Sequence, residues 1–286
     1  MSDITVVTTF HKPGLDLYGQ RFLDSFAERV DKRVKLLVYA EDCSPSVDPM
    51  CENITVLDAK QALPKLNEFK QKWGNDPKAN GIPPDHIKAR RPRDWHKKFK
   101  WDAIRFANKV YAVFDACSRS KQESKKWCVW MDADSYIHSP WSYDNFKELL
   151  PDDKWITYVG RGKGSQTWPE CGFYGMNLNS PVCWSFLKEF ERYYEEAEHG
   201  IFTLEEWHDS FVFGVILNNI KNLNPNILDY SANMYLREAK TGGGGHPLIN
   251  GPLGKYMDHM KGGRKDQGKS KRSDIMVNRT ETYWRT

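Results

Sequence analysis

Two aspartates separated by one residue, Asp132 and Asp134, stand at the end of the run WCVWMDADSYI, Trp127 to Ile137. The mostly apolar residues before them read as a buried strand, and a turn at Ser139-Pro140 follows. In an open parallel sheet, ligands bind beyond the carboxyl ends of strands, so both acids lie where a site is expected. Carboxylates so spaced can converge on a hard divalent cation, Mn²⁺ or Mg²⁺, with Asp134 a direct ligand and Asp132 reaching the metal or a ribose hydroxyl. Such an ion would neutralise a diphosphate. The plain alternative is a pair of solvated turn acids.

Positioning these acids requires a sheet, and the first half of the chain alternates strand and helix patterns. ITVVTTF (Ile4 to Phe10), Val34 to Asp42 and Ile54 to Asp58 read as strands; Leu17 to Val30 and Lys60 to Trp73 carry helical spacing. That alternation predicts an α/β fold with a mainly parallel sheet flanked by helices. Gly74 to Pro92 is expected to be a long loop or lid, followed by a helix from about Asp94 to Ser118. Further strands are expected at Trp155 to Gly160 and Cys171 to Asn177, and helices at Ser180 to Glu198 and Glu205 to Asn218. From Thr241 the composition shifts to Gly and Lys, beginning with Gly242 to Gly245. This gives a catalytic domain over 1–240 and a Gly/Lys-rich C-terminal extension, 241–286, closing over its site.

The 286 residues carry 42 Lys and Arg against 38 Asp and Glu, a net charge of +4 that does not by itself announce a nucleic-acid binder. Eleven Trp, 13 Tyr and 14 Phe exceed what a core alone needs and suit grooves for sugars or bases, the plain alternative for any one ring being core or surface packing. The six cysteines form no C-x-x-C pair and are read as reduced and structural. No run of about 18 apolar residues occurs, which predicts no membrane span and a cytoplasmic location.

The apolar run ending in D-x-D resembles the metal-binding motif of GT-A fold glycosyltransferases, whose nucleotide-sugar site lies at the C-terminal edge of a Rossmann-like sheet. The resemblance follows the chain in order and implies a nucleotide-sugar donor, a UDP-sugar by expectation, with Mn²⁺ or Mg²⁺ bridging its diphosphate. It places Thr8, Thr9 and Phe10 at the base and ribose, with Asp132 beside them, and brings Lys98 or Lys97 of the long helix to the nucleotide-sugar. ECGFYGMNLNSP, Glu170 to Pro181, resembles the strand bordering acceptor and sugar, where Gly172 and Gly175 permit close approach and Asn177 or Asn179 would bond hydroxyls. A strand running into a helix capped by Ser180 explains the same residues structurally.

Trp207-His208-Asp209 resembles the acidic motif that supplies the base in inverting GT-A enzymes and the acid facing the sugar in glycogenin-like retaining ones. Asp209 is the catalytic candidate, with His208 beside the sugar; the alternative is ordinary capping of a helix. HPLINGPLGKYMDHMKG, His246 to Gly262, resembles the glycogenin-like element H-F-x-G-x-x-K-P-W. Carried over, His246 becomes the third metal ligand, Gly251 allows close approach and Lys255 meets the diphosphate. The spacing is longer than in the element, no Pro-Trp follows, and His259 is a rival ligand.

Two basic stretches, 88–100 and 261–272, suit a phosphate backbone with exposed bases, a lid over the donor diphosphate, or a solvated charged surface. The tail is also similar to those of phage-type glycosyltransferases, which points to a hydroxymethylated base in DNA, such as 5-hydroxymethylcytosine, as acceptor. A surface glycan or lipid-linked sugar competes with it. Outside the transferase reading stand a non-catalytic nucleic-acid-binding α/β protein and a metal-dependent phosphohydrolase or nuclease. The last would recruit Asp42 and Asp58 from other strand ends.

Overall fold

The computed structural model describes residues 3–163, 168–234 and 246–285. The boundary expected at 240/241 and the glycines Gly242 to Gly245 lie outside the described residues. In chain order the strands are β1 (Ile4–His11), β2 (Lys35–Glu41), β3 (Ile54–Asp58), β4 (Trp127–Met131), β5 (Ser135–Ile137), β6 (Ile156–Val159), β7 (Glu170–Asn177), β8 (Ile227–Asp229) and β9 (Met257–His259). The main sheet has seven strands in the order β3-β2-β1-β4-β7-β6-β8, while β5 and β9 form a two-stranded antiparallel ladder. Strands β3, β2, β1 and β4 run parallel, whereas β7 is antiparallel to both β4 and β6.

Every residue of β4 is buried, as expected of a central strand covered on both faces. Its side chains alternate: Cys128 and Trp130 join Val7 and Tyr39 in one core, Val129 and Met131 join Ile4 and Val6 in the other. The first core is closed by helices α2 (Pro64–Trp73), α3 (Ala103–Gln122), α5 (Pro181–Glu195) and α6 (Asp209–Lys221), through Phe69, Val110, Phe186 and Phe213. The second is closed by α1 (Gln20–Arg29), α4 (Tyr143–Leu149) and the C-terminal segment, which contributes Leu248, Ile249, Leu253, Met257 and Trp284. All six cysteines are free thiols. No helix among the described residues is long and apolar enough to cross a membrane.

The long helix starts later than its spacing suggests. Asp94 is drawn into ion pairs with Lys97 and Lys100, and residues 98–101 make a tight turn. Asp102 then accepts a hydrogen bond from the Arg105 amide and sets the N-terminus of α3. Residues 74–92 are not one open loop: Pro77–Ala79 and Asp85–Arg90 form short helical turns, with Ala79 and Ile87 fully buried.

Candidate functional site

The acids at the end of β4 turn inward rather than into solvent. The Asp132 amide donates to the Gly172 carbonyl of β7, and after Asp134 the chain enters β5, whose partner β9 places His259 opposite Ser135. His259 Nε2 therefore lies 3.1 Å from Asp134 Oδ1 and 3.4 Å from Asp132 Oδ2. Among the described residues, Asp132, Asp134 and His259 form the group of acid and imidazole side chains whose ligand atoms lie close enough to hold a metal, within 4.8 Å of one another. Two carboxylates and an imidazole form a donor set chemically suited to a divalent first-row ion.

Cations already surround the two acids. Lys109, from the middle of α3, reaches Asp132 Oδ1 at 3.0 Å and Asp209 Oδ2 at 2.7 Å, and donates to the Cys171 carbonyl. Lys265 Nζ meets Asp134 Oδ2 at 2.8 Å, and the Trp130 indole donates to Asp132 Oδ1 at 2.6 Å. Burial opposes charge on Asp132, yet Lys109 and His259 hold its carboxyl well below the usual range; burial opposes charge on Asp134 too, and His259 lowers its pKa. Burial also disfavours the charged imidazole of His259, but Asp134 and Asp132 overcome that and raise its pKa to about 10. Lys109, though buried, stays charged because Asp132 and Asp209 outweigh its desolvation. Tyr18 faces the same acids, and its hydroxyl is pushed up to about 12 by burial and then by Asp134 and Asp132.

Asp209, the catalytic candidate, begins α6, is 4% exposed, and stands one lysine away from Asp132. The space over Gly172, expected to admit a ligand, is taken by His259: a Cβ at Gly172 would lie 2.6 Å from the imidazole. At the carboxyl ends of β1 and β2, the Thr9 hydroxyl lies 2.7 Å from the Tyr39 carbonyl and 2.6 Å from Glu41 Oε1, a partner not anticipated from the sequence. Thr8 is fully buried and its hydroxyl has no hydrogen-bond partner among the described residues.

The structure places the other candidate residues apart from the cluster or against other partners. His246 is not in the metal-competent cluster: its ring packs against His259 at 4.9 Å between centroids, and neither nitrogen has a hydrogen-bond partner among the described residues. Lys255 is exposed on a short turn, and the lysine of the C-terminal segment that meets the acids is Lys265. Lys98 is exposed on the turn before α3 begins, and the cations that reach the two acids are Lys109 and Lys265. Phe10 is 2% exposed, its side chain spent on the core. His208 caps α6, accepting from the Phe211 amide through Nδ1 while Nε2 meets Glu206 at 3.0 Å, so both ring nitrogens are engaged within the chain. Asn177 pairs with Trp127 at the opposite end of β4 from Asp132, and its amide donates to the carbonyls of Asp152 and Lys154. Asp42 and Asp58 do not join the metal cluster, which removes the extra ligands a phosphohydrolase would use.

Two signals could have found the missed residues. His259, Gly262 and Lys265 reproduce the H-x-x-G-x-x-K spacing without the extra residues needed from His246, and Gly262 adopts φ +65°, where glycine is favoured. Lys109 is a lone cation amid the apolar residues Ala107, Val110, Ala112 and Val113 of α3, a placement that demands a buried anion.

The basic stretches are largely neutralised within the chain. Arg90 and Arg91 pair with Glu205, and Arg91 and Lys100 converge on the fully buried Glu206. Lys261 meets Glu170 at 2.8 Å and Arg264 meets Asp274 at 2.5 Å.

No family model matches the sequence, and no curated protein matches it. Among solved structures the chain is similar to mouse xyloside xylosyltransferase 1 in its apo form, with 12% identity and a TM-score of 0.45 over 79% of this chain and 84% of that one. It is also similar to the apo structure of the bifunctional glycosyltransferase WbbM, with 10% identity and a TM-score of 0.44 over 80% of this chain. The match spans 38% of the WbbM chain.

Proposed function

We propose that this chain is a metal-dependent glycosyltransferase that moves a sugar from a nucleotide-sugar, UDP being the expected nucleotide, to an acceptor hydroxyl. The observation that carries the reading is the convergence of Asp132, Asp134 and His259 at the carboxyl end of β4, with Lys109 joining Asp132 to Asp209. Asp132, Asp134 and His259 would hold the ion, and the imidazole favours Mn²⁺ over Mg²⁺, which prefers oxygen ligands. When bound, the ion supplies the positive charge that a departing diphosphate requires.

In this reading the chain's own residues do the rest. Lys265 adds a second cation beside Asp134, and Lys109 fixes the Asp209 carboxylate toward the site. Asp209 then either takes the acceptor proton, in an inverting reaction, or faces the sugar carbon where positive charge develops, in a retaining one. Thr9 and Glu41 stand at the strand ends proposed for base and ribose. The C-terminal segment, 241–286, closes the donor site through His259 and Lys265.

The test is the melting temperature with UDP, UDP-glucose and GDP-sugars, each in Mn²⁺ and in EDTA, followed by donor hydrolysis and transfer assays. Metal-dependent stabilisation by one nucleotide, lost in Asp134→Ala, is expected; no stabilisation by any of them overturns the reading. For the acceptor, DNA carrying 5-hydroxymethylcytosine is offered against glycan and lipid-linked acceptors. The internal pairing of the basic stretches leaves Arg93 and Lys98 as cations of the first stretch without an ion pair among the described residues. Transfer to DNA through them would show a shallow salt dependence.

A further inference from the structure

A cavity of about 540 Å³ lies in the C-terminal segment, lined by Lys269, Arg272, Arg279 and Arg285 over an apolar floor of Ile275 and Trp284. Asp132, Asp134, His259 and Lys109 do not line it. Along β9 successive side chains point to opposite sides. His259 turns to the metal cluster, while the buried carboxylate of Asp258 turns away and accepts from the Ser270 amide, the Ser270 hydroxyl and the Tyr283 hydroxyl. The cavity and the metal cluster thus flank the same strand, and Ser270 also lines the cavity.

The walls are fixed by the chain itself. The Arg279 guanidinium, 7% exposed, donates to the Ile249 and Gly251 carbonyls, and the Trp284 indole donates to the Gly254 carbonyl at 2.7 Å. Lys269 donates to the Tyr283 carbonyl at 2.6 Å. Arg279 has a carboxylate partner in Glu281, 3.6 Å away. Arg272 and Arg285 are exposed at the cavity and have no carboxylate partner among the described residues, in contrast to Arg90, Arg91, Lys261 and Arg264. A concave, cation-lined space with excess positive charge and a volume in the range of small-molecule sites fits one class of ligand.

We infer that this cavity is a binding site for a phosphate-bearing small molecule, separate from the donor site, with Arg272 and Arg285 as its principal anion contacts. Guanidinium groups pair phosphate oxygens two at a time, which gives the site selectivity for phosphate over chloride.

The probes are orthophosphate and pyrophosphate, titrated calorimetrically into the full chain in EDTA at ionic strength matched with chloride. Saturable one-site binding is expected, with Kd raised ten-fold or more in Arg272→Ala/Arg285→Ala and unchanged in Lys265→Ala. The double variant should keep the wild-type melting temperature in chloride buffer, because both side chains are exposed. Equal binding by wild type and the double variant, non-saturable binding, or loss of binding in Lys265→Ala would each overturn the inference, the last by moving the phosphate to the metal cluster.

Discussion

Under the proposed function, metal binding at the Asp132, Asp134 and His259 cluster must displace a proton. In the metal-free protein His259 lies between two carboxylates and its pKa is raised from 6.5 to about 10, so at pH 7 it is an imidazolium. A metal ligand must be a neutral imidazole, and both aspartates are already ionised at this pH, so one proton leaves for each ion bound. Affinity should then rise roughly ten-fold per pH unit, about 100-fold from pH 6.5 to 8.5, equivalent to about 2.7 kcal/mol. Calorimetric Mn²⁺ titrations in buffers of different ionisation enthalpy report the proton count directly. The metal-free protein carries the complementary signature. A group whose folded pKa is raised contributes stability that is complete below 6.5 and lost as the pH climbs through 10. Melting temperatures in EDTA should fall across that window, while metal-loaded protein is spared this loss. His259→Ala should bind more weakly and with a flatter pH profile. A wild-type affinity independent of pH above 7, with no proton released, would refute the assignment of His259 as a protonated residue exchanged for metal.

Gly172→Ala places a Cβ 2.6 Å from the His259 ring and should displace it, lowering metal affinity about 10- to 100-fold while the fold persists; an unchanged metal titration would show that the ring yields without consequence. Lys109→Met keeps the length of the side chain but strands the carboxylates of Asp132 and Asp209, which should cost about 3–5 kcal/mol in urea denaturation; a loss below about 1 kcal/mol would mean that water or another cation replaces the lysine. Glu206→Ala removes the buried partner of Arg91, Lys100 and His208 and should destabilise the protein by a similar amount, about 3–5 kcal/mol. Limited proteolysis of the same variant should open the segment 91–100 first, and cleavage elsewhere before that segment would dissociate Glu206 from its anchoring.

The α/β fold was legible because each central strand is a short apolar or β-branched run, and burial on both faces demands such a run. Where a helix begins is a subtler matter, settled by competition among nearby polar groups. Asp94 looked like the start of the long helix, but two lysines claim its carboxylate, while Asp102, eight residues on, has the Arg105 amide within reach. Periodicity records which residues can be buried on a helix and says little about which acid will cap it.

The site divides along the same line between local pattern and long-range placement. The aspartate pair was visible because strand, acids and turn are contiguous, whereas His259 arrives from a distant segment through the pairing of β5 with β9. Strand direction decides the rest. Had β7 run parallel to β4, its later residues would approach Asp132, and Asn177 would be a sensible sugar contact. Because β7 runs antiparallel, Asn177 is carried to the far end and Gly172 is brought to Asp132 instead. Nothing in the alternation of apolar residues encodes that reversal, since period two is the same in either direction. The buried lysine is the exception: Lys109 sits in a stretch of α3 where an unpaired charge would be prohibitive, so its place in the sequence implies an anion beneath it. Asp132 and Asp209 are those anions, and one buried cation thereby ties the β4 acids to the N-terminus of α6.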